Sequence, residues 1–275
     1  MTAPDYLLIG HITHDDTPAG PRLGGTVSYS GGTALALGLR VAAVTSIRDD
    51  DPVLADLPAI ELARVPSQTS SIFENIYQGE RRIQYLKSRA QALRLEHVPA
   101  AWCGAPIIHL APLTDEVDPA LAEAFPGALV AATPQGWMRA WDAAGVIRPK
   151  AWESADRLLP ILSACILSEE DIGRDTALEA HYGGLARLLV VTRAAQGCTV
   201  YQNGAWAFDA PAPAVPVVDA TGAGDVFAGV FLTLLARTGD ARRAAEQACY
   251  LASMSVTRVG LAGLPTPDEA HAALV

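Results

Sequence analysis

The stretch VVDATGAGDVFAGVF, residues 217–231, sets Gly222, Ala223 and Gly224 between two apolar runs and follows them at once with Asp225. VPVVDA reads as a strand ending and TGAGD as a tight turn. Beyond the turn, Val226, Phe227, Val230, Phe231, Leu234 and Leu235 fall on one stripe at helical spacing. Asp225 is therefore expected in the first turn of a buried helix. The first N–H groups of a helix have no internal partner, and its dipole makes that end positive. Glycines at 222 and 224 let a ligand approach the backbone closely. Together these features describe an anion hole for phosphate.

A carboxylate beside such a hole would repel its anion, so Asp225 is expected to act on the other reactant. It would take the proton of an attacking hydroxyl, while charge growing on a transferred γ-phosphate rests on residues 222–224 at the helix N-terminus. The bland alternative is a helix cap of similar composition.

The 275 residues are half hydrophobic, enough for one large domain with a core. A net charge of −10 without a basic patch excludes a typical nucleic-acid binder. The charges of GERRIQYLKSR, residues 79–89, are spaced as on a solvated strand face. The N-terminus lacks a basic region and a long apolar run, so no signal peptide is expected, and no apolar run is long enough to span a bilayer. Cys103, Cys165, Cys198 and Cys249 are scattered and read as reduced core cysteines of a cytoplasmic protein. His11 and His14 lack an obvious third ligand and read as no zinc site.

Short apolar strands at YLLIG and RVAAVTSI, with a helix over 33–37 between them stopping at Gly38, give a strand–helix–strand rhythm. From 58 to 89 the texture changes. AIELARVP, TSSIFENIY and RRIQYLKS alternate with period two, and QGE turns between the last two, as in antiparallel strands with one solvated face. From residue 99 the α/β rhythm returns, with apolar runs at PIIHLAPL, GALVAATP, ACILSEED, LLVVTRAAQG and WAFDAPAP and helices between most of them. Asp240 opens a long Ala-rich helix. Thr266, Pro267 and Glu269 form a capping-box start for a terminal one. The expected architecture is a single α/β domain over 1–275: a central, mostly parallel sheet flanked by helices. A small antiparallel β lid is inserted over 60–88, with a contribution from 13–25.

The turn DATGAGDVFAG resembles the C-terminal signature of the ribokinase-like (PfkB) carbohydrate kinases, on Asp219, Thr221, Gly222, Ala223, Gly224 and Asp225. The resemblance implies that Asp225 is the catalytic base. LGGTVSYSGGTALALG is similar to the family's N-terminal signature, with Gly24 and Gly25 as its glycine pair leading into the pocket helix. Asp15, five residues after Gly10, stands where the family's first strand delivers an Asp to substrate hydroxyls. LLVVTRAAQGCTVY looks like the nucleotide-side strand–turn–strand, with Thr192 and Gly197 matching, and Thr221 belongs to the same side. The loop around Val256 and Gly260 resembles the one against adenine. Two departures stand out. Tyr29 replaces an Asn in the pocket helix, and Ser168 and Asp171 replace the ends of an Asn–x–x–Glu motif that helps hold magnesium through water. Asp171, with Glu170, is the expected metal-side pair. The plain alternative is an acidic helix start favoured by the dipole.

The resemblance implies ATP and Mg2+ as donor and cofactor, and a small sugar or cyclitol (myo-inositol-like) as acceptor between Asp15 and Asp225. The inositol-kinase-like branch is the nearest in texture. A nucleoside acceptor, with Phe73, Tyr77 and Tyr85 as lid aromatics, and a non-catalytic ligand-binding relative are the alternatives. Gln135 and Arg139, beyond a strand end, are further substrate candidates, while Trp137 and Trp141 suggest a helical core pair. The resemblance also allows a homodimer through the lid, with no nucleic acid or membrane partner.

Overall fold

The structure is a computed structural model describing residues 2–78 and 81–274. The strands in chain order are β1 (Tyr6–Ile9), β2 (Thr13–Thr17), β3 (Gly20–Gly24), β4 (Val41–Ser46), β5 (Glu61–Val65), β6 (Ser71–Gln78), β7 (Arg81–Ser88), β8 (Ile107–Leu110), β9 (Leu129–Ala132), β10 (Arg139–Trp141), β11 (Ile147–Pro149), β12 (Ala164–Ser168), β13 (Leu188–Thr192), β14 (Cys198–Gln202) and β15 (Ala205–Ala210). The α-helices are α1 (Thr26–Ala36), α2 (Ala155–Leu158), α3 (Thr176–Leu185), α4 (Ala223–Thr238), α5 (Ala241–Ser255) and α6 (Pro267–Leu274).

Nine strands form the central sheet in the order β15-β14-β13-β12-β9-β8-β1-β4-β5. Pairing is parallel from β13 to β5 and antiparallel at β13–β14 and β14–β15. Helices cover both faces, which is why β1 reads as a continuous apolar run with all four residues buried. Its side chains alternate between two cores. Tyr6 and Leu8 pack with residues of α1, α4 and α5, whereas Leu7 and Ile9 pack with Trp102, Trp137 and Trp152. Each such Leu or Ile contributes about 1.5–3 kcal/mol by leaving water.

Local signals place several boundaries as expected. Asp240 caps α5 by accepting from the N–H groups of Arg242 and Arg243. Thr266 and Glu269 exchange hydrogen bonds at the start of α6. Gly38 takes φ +82° just past α1. That helix begins at Thr26, seven residues before the expected start, because its first two turns carry Thr, Ser, Tyr and Gly, which the Ala/Leu pattern passes over.

The lid is a four-stranded sheet in the order β3-β2-β6-β7. Two expectations about it need correcting. The alternating stretch at 61–65 is not a lid strand but β5, the edge of the central sheet, parallel to β4. An edge strand with one face on a core and one in water alternates just as a lid strand does. Nor is the lid wholly antiparallel, since β2 pairs with β6 in parallel. Gly79 and Glu80 of the expected QGE turn lie outside the described residues, as does the side chain of Tyr77. Elsewhere, the segments between β8 and β12 carry short 3-10 turns at Pro119–Glu123 and Pro134–Met138, and only the four-residue α2, in place of longer helices. Trp137 and Trp141 do not pair. Trp137 is buried and stacks on Trp152 at 5.7 Å, while Trp141 lies on β10, partly exposed beneath Arg89. Cys165, Cys198 and Cys249 are buried free thiols, but Cys103 is exposed. No described helix is long and apolar enough to cross a membrane.

Candidate active site

The carboxyl ends of five neighbouring parallel strands open on one cavity of about 360 Å³. Beyond β1 come Thr13 and Asp15; beyond β8, Pro112 and Leu113; beyond β9, Thr133 and Gln135. Ser168 ends β12 and Thr192 ends β13, and all of these line the cavity. Open α/β sheets present ligands at such an edge. The lid adds Phe73, Asn75 and Gln84, α1 adds Thr26 and Tyr29, and the turn into α4 adds residues 219–225.

That turn is built around Gly222. It holds φ +77°, and a Cβ there would lie 2.2 Å from the Tyr29 ring, so only glycine fits. Tyr29, 3% exposed, thus lines the cavity and also supports the turn from beneath. Its phenol is pushed up by burial and by nearby carboxylates, Asp225 first among them, so it is neutral. Asp219 holds the turn's entrance, accepting from Thr221 N at 3.0 Å and Gly260 N at 3.0 Å. Burial alone would raise its pKa. The hydrogen bonds from Thr221 and Gly260, with the charge of Arg22, keep it below the usual carboxylate range. The backbone of Val256 accepts from Val218 N and Asp219 N.

Asp225 sits in the first turn of α4. Its Oδ1 accepts from Thr26 Oγ1 at 2.7 Å, and its backbone O accepts from Ser30 Oγ at 2.6 Å. Desolvation raises its pKa to about 6, and the negative charges of Asp15 and Asp171 push the same way. The Thr26 hydrogen bond and the Arg139 guanidinium oppose them. A group of that pKa is ionised at neutral pH yet basic enough to take a proton in a transition state.

Asp15 is on β2, paired in register with Arg22 of β3. A Cβ at Gly24 would come within 2.7 Å of Asp15 Oδ2, and one at Gly25 (φ +88°) within 2.7 Å of His11 O. The two glycines therefore clear space for the carboxylate and for the entry into α1. The loop bearing Pro112 and Leu113 is pinned from behind by buried Glu116, which accepts from the N–H groups of His11, Leu113 and Thr114. His11 Nε2 donates to Gln91 O at 2.8 Å, so its Nδ1 accepts from the Ser71 hydroxyl at 2.7 Å, at the start of β6. Burial holds His11 below the usual imidazole range. His14 faces Asp16 and Asp51 at 3.0 and 3.4 Å and is not on the cavity wall.

Of the residues expected from sequence, Asp15, Gly25, Tyr29, Gln135, Arg139, Asp171, Thr192, Thr221, Gly222, Ala223, Gly224 and Asp225 meet around this cavity. Gly24, Gly197, Val256, Gly260 and Glu170 do not line it. Gly197 takes φ +94° where a Cβ would strike Ala210 O, so it serves the β13–β14 turn. Val256 and Gly260 hold the Asp219 backbone and side chain. Glu170 is exposed beside Arg174 at 3.6 Å. Thr26, Ser30, Asn75 and Gln84 had no sequence signal, since a hydroxyl or amide inside an element looks like ordinary surface.

Four carboxylates, Asp15, Asp171, Asp219 and Asp225, and one guanidinium, Arg139, line the cavity among the described residues. A polyanionic phosphate donor would be repelled there unless it carried a divalent cation. Asp171 suits a water-mediated metal contact. Oδ2 accepts from Ser168 N at 2.9 Å and Oδ1 from Gln135 Nε2 at 3.0 Å, which orients the carboxylate and leaves each oxygen a further lone pair. Glu170, off the wall, does not fit that role.

Residues 142–268 match the model of the pfkB family carbohydrate kinases. The chain is 26% identical over 256 residues to the cytidine kinase of Thermococcus kodakarensis, covering 83% of this chain and 87% of that one. It superposes with a TM-score of 0.81 on a pyrophosphate-dependent kinase of the ribokinase family complexed with a pyrophosphate analog and myo-inositol, at 20% identity over 97% of this chain and 99% of the other. On the ribokinase of Arabidopsis thaliana complexed with ribose and ATP the TM-score is 0.71, at 16% identity over 99% of each chain.

Proposed function

With residues 142–268 belonging to the pfkB family of carbohydrate kinases and the whole chain folded as a ribokinase, we propose that this protein transfers the γ-phosphoryl group of ATP to a hydroxyl of a small sugar or cyclitol. A chain of this family is a phosphotransferase with an alcohol group as acceptor. The observation that carries the finer reading is Asp225: a carboxylate with its pKa raised to about 6, at the N-terminus of α4, in the same cavity as Asp15.

In the proposed step Asp15 orients the acceptor. Asp225 takes the hydroxyl proton as the acceptor oxygen bonds to the γ-phosphorus. The bond from that phosphorus to the bridging oxygen breaks, and ADP leaves with the electron pair. The N–H groups at 222–224 receive the charge that gathers on the transferred group. Mg2+, when bound, would neutralise donor phosphate charge. Asp171 would hold it through water. A polyol suits the wall, where Asp15, Asn75, Gln84, Gln135 and Arg139 supply hydroxyl partners and Phe73 supplies one apolar face.

The test is ADP release with sugars, inositols and nucleosides as acceptors, using Asp225→Asn as control. Acceptor-stimulated release that Asp225→Asn abolishes supports the reading. Absence of stimulation by any acceptor, with ATP and with pyrophosphate as donor, returns the chain to the non-catalytic alternative, and stimulation by nucleosides alone replaces the polyol.

One observation favours a second donor. The cavity wall includes residues 219–225 but none of residues 256–263, the expected adenine loop. Inorganic pyrophosphate needs no base pocket, and the neighbour complexed with a pyrophosphate analog supports trying it. Phosphate release from pyrophosphate with an active acceptor, at rates above those with ATP, would select it.

A further inference from the structure

The junction of α1 and α4 is tighter than packing alone requires. Gly25 turns the chain so that the first turn of α1 meets the first turn of α4. One helical turn beyond Asp225, a Cβ at Gly229 would lie 2.9 Å from Ser30 O and 3.0 Å from Thr33 Cβ. At this crossing Thr26 and Ser30, four residues apart on one face of α1, both donate to Asp225, at 2.7 Å to its side chain and 2.6 Å to its backbone O. The first bond occupies Oδ1, and the second fixes the peptide that carries the side chain.

We propose that Thr26 and Ser30 are positioning residues that hold Asp225 with Oδ1 tied to α1 and Oδ2 left for the acceptor hydroxyl. The proposal rests on Asp225 as the base. A carboxylate whose rotamer is locked before substrate arrives needs no reorganisation at the moment of proton transfer. The Thr26 bond also stabilises the ionised form in a place that disfavours it. Arg139 acts in the same sense, Asp15 and Asp171 act against it, and the buried phenols of Tyr6 and Tyr29 remain neutral beside it. A tie that met α4 only at its backbone, as the Ser30 bond does, would leave the proton affinity of Asp225 nearly unchanged.

The test reads that affinity directly. In the full chain labelled with carbon-13 at Asp Cγ, the Asp225 resonance is assigned by its loss in Asp225→Asn and titrated with pH. The expected midpoint is about 6 in the unmodified protein. Thr26→Val, which keeps shape and removes the donor, should raise it by about one pH unit, and Thr26→Ser should restore it. Thr26→Ala is titrated alongside, should the valine perturb packing. The acidic limb of kcat/KM should move by the same amount. Ser30→Ala should lower kcat several-fold with a smaller change in midpoint. A midpoint that stays near 6 in both Thr26→Val and Thr26→Ala overturns the inference whatever the kinetics. A midpoint that moves while the kcat/KM limb stays put overturns Asp225 as the base instead and leaves the Thr26 bond demonstrated.

Discussion

The cavity has two walls of different make. On the body side, α1 and α4 cross with Gly222 against the Tyr29 ring, Gly229 against Ser30, and Asp225 bonded twice to α1. On the lid side, Phe73, Asn75 and Gln84 project from β6 and β7, and Gln84 Nε2 donates to Asn75 Oδ1 at 3.1 Å across the strands. The lid meets the body through polar ties at its root, such as Ser71 Oγ to His11 Nδ1 at 2.7 Å, and through one small apolar cluster of Phe73 and Leu86 with Leu113 and Ile147. The difference suggests a division. On the proposed function, chemistry would sit where the backbone leaves no slack, and choice of acceptor on a sheet whose exchange of side chains disturbs less.

The comparison is tested hardest at Asp225. Asp225→Asn should lower kcat by about 10³-fold, the range for loss of a general base. The same variant should be more stable at neutral pH by about 3 kcal/mol, because a carboxyl with pKa about 6 against an ordinary value of 3.8 is ionised there at a cost to the fold. The sign follows from linkage. The stability of the unmodified protein gains from this group as pH falls through 6 toward 4, and the Asn variant should lack that gain. Denaturant melts at pH 5 and pH 7.5 read both statements, and an Asn variant less stable than the parent at pH 7.5 would contradict them.

Gly222→Ala comes next. Its Cβ collides with Tyr29 at a positive φ, so a loss of roughly 100-fold in kcat/KM is expected with the chain still folded. Glu116→Gln should destabilise by about 2–3 kcal/mol, since it weakens four hydrogen bonds to a buried carboxylate behind the 112–114 loop. For the unmodified enzyme, kcat/KM should fall tenfold per unit below a midpoint of about 6. On the lid, Asn75→Leu or Gln84→Leu should raise the KM for a polyol about tenfold and leave the donor KM and the melting temperature nearly unchanged. If lid variants cost as much stability as body variants, the two walls are not distinct in kind.

Much of the turn into α4 was legible in the linear chain because its requirements are local. A positive φ needs glycine at 222, an apolar stripe at helical spacing needs a buried helix after it, and a helix start needs caps such as Asp240 and Thr266. Asp15 and the glycine pair were marked only by the family resemblance, and of these Asp15 and Gly25 line the cavity. Alternation read locally misassigned 61–65, because the edge of the central sheet and a lid strand impose the same period. Nothing in the sequence near Tyr29 said that its ring would lie under a turn almost two hundred positions away.

From the amino-acid sequence alone came the glycine turn at 222–224, the acid that follows it and the α/β rhythm, all properties of short segments whose backbone conformation their own residues dictate. The partners of that acid were decided by tertiary structure. Thr26 and Asp225 are 199 positions apart, and their bond exists because two glycine-cleared helices cross at one point. Which hydroxyl meets which carboxylate is set by that crossing, and a crossing belongs to no single segment of the chain.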